Sequence, residues 1–146
     1  TRFRNVTGVQ TCALPISLRD DDVVVAMEVV RPVGTLLTVT EGGYGKRTEM
    51  DEYRVQSRGG IGVINIATNR RNGVVVGVAY VEEGDEVLLI TQQGMIIRMP
   101  TDDVRAIGRG TQGVRLIEIE GDDKVVSVAR LVERDENGDD APPAAS

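Results

Sequence analysis

The chain has 146 residues, 40% of them apolar, a net charge of -6, no His and a single Cys. That length supports one domain with a core of its own; a zinc site built from His and Cys and an internal disulfide are both excluded, and no apolar run approaches the ~18 residues a membrane-spanning helix needs. The acidic balance argues against blanket affinity for nucleic acid but leaves room for a basic stripe on one edge, because the charge is uneven: residues 18–132 hold 14 Lys/Arg and 18 Asp/Glu, while the last 14 residues hold five acids against Arg134.

Residues 1–17 do not share the pattern of the rest. The run at 6–16, VTGVQTCALPI, is similar to a translated sequencing adaptor, so 1–17 reads as an artefact of gene assembly with no functional part to play. Residues 18–34 form the next unit: a charged turn, a strand at 23–30 (VVVAMEVV), and a turn around Pro32 and Gly34. The short Leu/Val/Thr run at 35–40 predicts a strand. Gly42, Gly43 and Gly45 predict a hairpin turn, with a returning strand at 46–50 and a polar stretch at 51–58. Alternation at 62–68 predicts another strand, Asn72-Gly73 a turn, and the apolar run at 74–81 a central strand.

The same order then recurs. Sliding the chain by 51 residues superimposes Thr40 on Thr91, Gly43 on Gly94, Arg47 on Arg98, Arg58 on Arg109 and Gly62 on Gly113. The second copy predicts strands at 87–91, 96–99, 113–119 and 125–132, with a loop at 100–110. Strand 125–132 matches 74–81, and 23–30 reads as the same strand of a preceding, truncated unit. Four short strands per ~50 residues, joined by Gly-rich turns, is the sequence pattern of a propeller blade. The expected fold is therefore all-β: two four-stranded blades at 35–81 and 82–132, plus one strand of a blade before them. Residues 133–146, ERDENGDDAPPAAS, are acidic, rich in Ala and Pro and without periodicity, the composition of a disordered tail.

The segments LLTVTEGGYGKRTEMDEYR, SRGGIGV, RRNGVVVG, LITQQGMIIR and GRGTQGVRLI resemble the end of the C-terminal domain of the DNA gyrase A subunit. The resemblance runs from Leu18 to Val132. It implies a β-pinwheel, in which blades sit as in a propeller and each exchanges a strand with its neighbour, and it implies that double-stranded DNA wraps around a basic rim. Catalysis is not implied: in such enzymes the tyrosine that cleaves DNA, ATP and Mg2+ all lie in other domains or in the B subunit. The chain itself is expected to need no cofactor and no metal and to carry no catalytic residue. The expected partners are DNA and, within an assembly of two A and two B subunits, the gyrase B subunit, in the bacterial cytoplasm and without a membrane. The family's basic box is weakened at 56–62, where Ser57 and Ile61 replace basic residues, so its role is not carried over.

Phosphates are held by Arg, Lys and exposed backbone N–H groups, contacts that carry no sequence information. The candidates are Lys46, Arg47, Arg58, Arg70, Arg71, Arg98 and Arg109, with Gly43, Gly45, Gly59, Gly60 and Gly110 as loop glycines whose N–H groups could converge on an anion. The acids at 20–22, 82–86, 102–103 and 122–123 read as solubilising turns. Two other readings stay open: the equivalent domain of the topoisomerase IV A subunit, and a protein-binding propeller without a nucleic-acid role.

Overall fold

The computed structural model describes residues 22–31, 33–57 and 61–131. Within them the chain forms strands β1 (Thr35–Thr40), β2 (Tyr44–Glu49), β3 (Val75–Val81), β4 (Glu86–Thr91), β5 (Ile96–Pro100), β6 (Val114–Arg115) and β7 (Val125–Leu131). Single 3-10 turns follow β2 and β5, at Met50–Glu52 and Thr101–Asp103. The strands make two antiparallel sheets, ordered β3-β1-β2-β6 and β5-β4-β7. The all-β pinwheel expectation holds, and the exchange is explicit: β6 belongs to the second repeat in sequence but pairs with β2 of the first.

Each repeat is built around a hairpin. Leu, Val and Thr fill β1 and β4 with side chains suited to a pleated surface, and Gly43 and Gly94 turn the chain with φ of 77° and 89°. The turns close alike, Gly43 N–H to the Thr40 carbonyl at 3.0 Å and Gly94 N–H to that of Thr91 at 3.1 Å. Both first strands also shift register at the same place, between Val39 and Thr40 and between Ile90 and Thr91. The two sheets share one core of Leu37, Val39, Ala79, Val81, Val87, Leu89, Val104, Ile117 and Val125. They meet where β3 faces β7: a Cβ on Gly77 would lie 2.3 Å from Val128 Cγ1, so the absent side chain sets the approach.

Four expectations need correction. Residues 23–30 form no strand, and their valines are exposed. β3 and β7 each pair with the first strand of their own repeat, and no described strand stands in that position for 23–30. Residues 62–68 form no strand either. Their counterpart β6 pairs with β2 of the preceding repeat, and no described strand stands in that position for 62–68. They are tied instead to the following loop, by Ala67 N–H to the Thr111 carbonyl at 2.9 Å and Gly110 N–H to the Asn65 carbonyl at 3.1 Å. The strand expected at 113–119 shrinks to Val114–Arg115 and joins the first sheet, which leaves the second sheet with three strands among the described residues. Finally, the match of 125–132 to 74–81 is one residue out of step. Glu41 N–H bonds the Val74 carbonyl and Gln92 N–H that of Lys124, a spacing of 50 where the rest keeps 51, because the second turn is shorter.

Candidate nucleic-acid interface

The outer edge of β2 is covered by residues 104–115. Arg47 N–H bonds the Arg105 carbonyl at 3.2 Å, and Ile107 N–H returns to the Arg47 carbonyl at 2.9 Å. Further on, Val114 and Arg115 pair with Gly45 and Tyr44. The approach requires Gly113, which holds φ at 78° and whose Cβ would stand 2.6 Å from the Gly45 carbonyl oxygen. One stretch of chain thus lays Arg105, Arg109 and Arg115 along a single rim. Arg105 and Arg115 are exposed and Arg109 is half-buried, its Nη1 donating to the Ile64 carbonyl at 3.4 Å and its guanidinium carbon 5.9 Å from the centre of the Tyr53 ring. Beside Arg115, Arg71 lies over Tyr44 at 4.9 Å and donates from Nε to its hydroxyl at 2.7 Å. A guanidinium flat on a ring keeps its outer N–H edge toward solvent. The neighbouring Arg70 is exposed.

Several candidates from the sequence are placed elsewhere. Lys46 is fully buried, its Nζ donating to the Gly108 carbonyl at 2.9 Å, so it cannot reach a phosphate. Burial pushes its ammonium pKa down, Arg109 adds to this, and Glu52 works against it. Arg47 is mostly covered; it donates from Nε to the Val104 carbonyl at 2.7 Å and pairs with Asp102 at 3.3 Å. Both side chains bind the loop that carries the rim rather than forming it. Arg98 is exposed on β5 but is paired with the Glu86 carboxylate. The glycine N–H groups do not converge on open space: Gly43 N–H is bonded to Thr40 and Gly110 N–H to Asn65, while Gly45 sits between Val39 and Val114. Arg58, Gly59 and Gly60 lie outside the described residues, as do the acidic tail and residues 1–17.

Sequence reasoning missed Arg105 and Arg115. Arg105 had a signal, since it stands 51 residues after Arg54, the same recurrence that singled out Arg109. Arg115 had none, because Ile64 occupies its place in the first repeat. The acids are interleaved with the bases: Glu41 pairs with Lys124 at 2.9 Å and Glu118 with Arg115 at 3.1 Å. The Lys124 bond holds the Glu41 carboxyl below its ordinary range despite its burial. Among the described residues no three acids converge as a cation site, and no helix is long and apolar enough to cross a membrane.

The family model of the DNA gyrase C-terminal domain, a beta-propeller, matches residues 4–31, 34–82 and 85–131. The chain belongs to this family. Its first matched segment reaches into the adaptor-like stretch at 1–17. Among curated relatives, the DNA gyrase A subunit of Thermotoga maritima is 46% identical over 86% of this chain and 15% of its own length. That of Salmonella typhimurium is 43% identical over 89% of this chain and 14% of its own. The chain therefore spans about one-seventh of the relatives it matches. A solved gyrase A C-terminal domain superposes with a TM-score of 0.66 at 30% identity, over 70% of this chain and 35% of that one. The C-terminal domain of DNA topoisomerase IV gives 0.71 over 80% of this chain and 36% of that one, but at 20% identity, a likeness of fold.

Proposed function

We propose that this gyrase-family chain binds double-stranded DNA along the rim formed by residues 104–115 and Arg70–Arg71, as a non-catalytic, DNA-wrapping part of a gyrase A subunit. The observation that carries the reading is the placement of Arg105, Arg109 and Arg115 on one segment at the outer edge of β2, with Arg71 stacked on Tyr44 beside them. An edge of spaced guanidinium groups suits the spaced phosphates of a duplex, and such contacts position DNA without reading its sequence. The interleaved acids lower the average potential, so binding rests on these local charges rather than on net charge.

In this reading the chain supports ATP-dependent negative supercoiling by a complete enzyme with the B subunit, in the bacterial cytoplasm. ATP, Mg2+ and the cleaving tyrosine act in other parts of that enzyme. Gyrase is favoured over topoisomerase IV by the level of identity to gyrase A subunits across most of the chain.

Fluorescence anisotropy with two unrelated duplexes of equal length tests the reading. Equal affinities, falling linearly on a plot of log K against log salt, are expected. No binding at low salt, or binding to one sequence only, would overturn it.

A further inference from the structure

Three turns from the two repeats meet beside Arg71. The turn between β1 and β2 brings Glu41 and Gly42, the turn before β3 brings Arg70, Arg71 and Gly73, and the turn before β7 brings Gly121 and Lys124. Together they line a polar cavity of about 330 Å3. Backbone bonds fix the convergence: Gly42 N–H reaches the Asn72 carbonyl at 2.9 Å, and Val125 N–H reaches the Glu41 carbonyl at 2.9 Å. Glycine permits the close packing. A Cβ on Gly42 would stand 2.7 Å from the Arg71 carbonyl oxygen, and one on Gly73 would run into the Glu41 side chain.

Three cations line this cavity. Arg70 and Arg71 are exposed, and Arg71 is held on the Tyr44 ring through its Nε, which leaves its outer N–H edge for a ligand. Lys124 is also exposed, and its Nζ donates to Glu41 Oε2 at 2.9 Å. The other Glu41 oxygen accepts the Val74 amide at 3.3 Å. Asp123 lines the cavity too, but its Oδ1 is taken by the amides of Gln93 and Lys124 at 3.0 and 2.8 Å. The same turn in the second repeat carries Gln92 where the first has Glu41, and makes the equivalent backbone bond. The turn itself therefore does not require a carboxylate.

We infer that this cavity seats one phosphate of the bound duplex between Arg70, Arg71 and Lys124, and that Glu41 occupies Lys124 until the phosphate displaces it. Resting on the DNA-binding reading above, the seat adds a contact at the seam of the two repeats and a residue that sets its strength. A phosphodiester and a carboxylate both present oxygen acceptors to an ammonium group, and an exposed ion pair is weak enough to be exchanged. The phosphate also takes the guanidinium groups of Arg70 and Arg71, while the released carboxylate keeps the Val74 amide. Glu41 thus competes with DNA from inside the chain and holds the affinity of this contact down.

The test is fluorescence anisotropy with a duplex, in a cycle of the wild type, Glu41→Gln, Lys124→Ala and the double variant, with Arg115→Ala beside them. Glu41→Gln is expected to tighten binding about two- to fivefold at low salt, the scale of an exposed ion pair. Lys124→Ala is expected to weaken binding and to flatten the slope of log K against log salt by up to roughly 0.9. In the Lys124→Ala background, Glu41→Gln is expected to gain less than in the wild type. Equal gains in both backgrounds would reduce Glu41 to its net charge and overturn the seat, as would no change from either single variant. If Arg115→Ala still flattens the slope in that case, the seat alone fails and the rim stands; a chain that binds no duplex fails on both. The amide resonances of Gly42, Gly73 and Gly121 are expected to shift when duplex is added to the wild type. Inorganic phosphate at the same ionic strength is expected to shift them less. Equal shifts with inorganic phosphate would make this a site for free phosphate and overturn its assignment to the duplex.

Discussion

Lys46 of the first repeat donates its Nζ to the Gly108 carbonyl of the second at 2.9 Å, with the whole side chain out of water. Thr48 does the same on the next inward position, its hydroxyl reaching the Ile107 carbonyl at 3.0 Å. The basic pair of the GYGKRT motif therefore fastens the exchanged segment. Lys46→Ala is expected to lower unfolding free energy by about 2 kcal/mol or more, the scale of a large-to-small change at a buried site. Lys46→Met fills most of the same volume without a buried charge and is expected to lose less. Urea unfolding of the three proteins decides this.

The same residue gives a pH dependence. Its ammonium pKa lies below the ordinary 10.5, with burial the main cause. Between the folded value and 10.5 the unfolded chain binds more protons, so stability rises with pH across that window. Lys46→Met is expected to lack this rise. Burial pushes the Tyr53 phenol above its ordinary 10.0, which acts in the opposite sense at higher pH, so unfolding midpoints compared below pH 10 isolate Lys46.

Much of this fold was legible in the sequence, and one kind of fact was not. Thr35–Thr40 and Glu86–Thr91 announce themselves by Leu, Val and Thr between turn residues, and the glycines at 43 and 94 fix both hairpins. Residues 62–68 carry the same signals as 113–119, yet neither stretch forms the full strand. The local pattern is alike; what differs is whether a neighbour is there to pair with. Lys46 shows the same limit at the site. A lysine beside a glycine turn reads as a surface charge, and its burial comes from Gly108, 62 residues away. Arg115 faces outward only because β6 is exchanged, which the resemblance implied but no residue near it signalled.

Asp123 predicts acid sensitivity. Burial raises its carboxyl pKa, but hydrogen bonds from the Thr91 hydroxyl and the amides of Gln93, Lys124 and Gln92 outweigh this and hold it below the ordinary 3.8. The stability it contributes is present above 3.8 and is lost as pH falls through the folded value. Asp123→Asn stays neutral at every pH and lacks the second acceptor oxygen, so it is expected to be less stable than wild type near neutrality, the difference closing as the wild-type carboxylate titrates. Its stability curve below pH 3.8 is expected to be flatter than wild type, read by circular dichroism through an acid titration.

The contact between sheets depends on Gly77. A Cβ there meets Val128 Cγ1 at 2.3 Å, so Gly77→Ala is expected to cost about 1–3 kcal/mol by overpacking. Adding Val128→Ala removes the opposing methyl groups. The double variant is expected to be less destabilised than the sum of the singles, with a coupling of about 0.5 kcal/mol or more. Strict additivity in thermal melts would mean the two sheets adjust by moving apart.

The central claim is that DNA lies on the rim of Arg71, Arg105, Arg109 and Arg115 and that Lys46 is internal to it. The direct measurement is the slope of log K against log salt for a duplex, taken for the wild type, Arg115→Ala, Arg105→Ala and Lys46→Met. Each rim arginine is expected to flatten the slope by roughly 0.9, the loss of one phosphate contact, with equal weakening for unrelated sequences. Lys46→Met is expected to leave the slope at the wild-type value. A slope unchanged by both arginine substitutions, or flattened by Lys46→Met, would contradict the account and place the DNA on another edge.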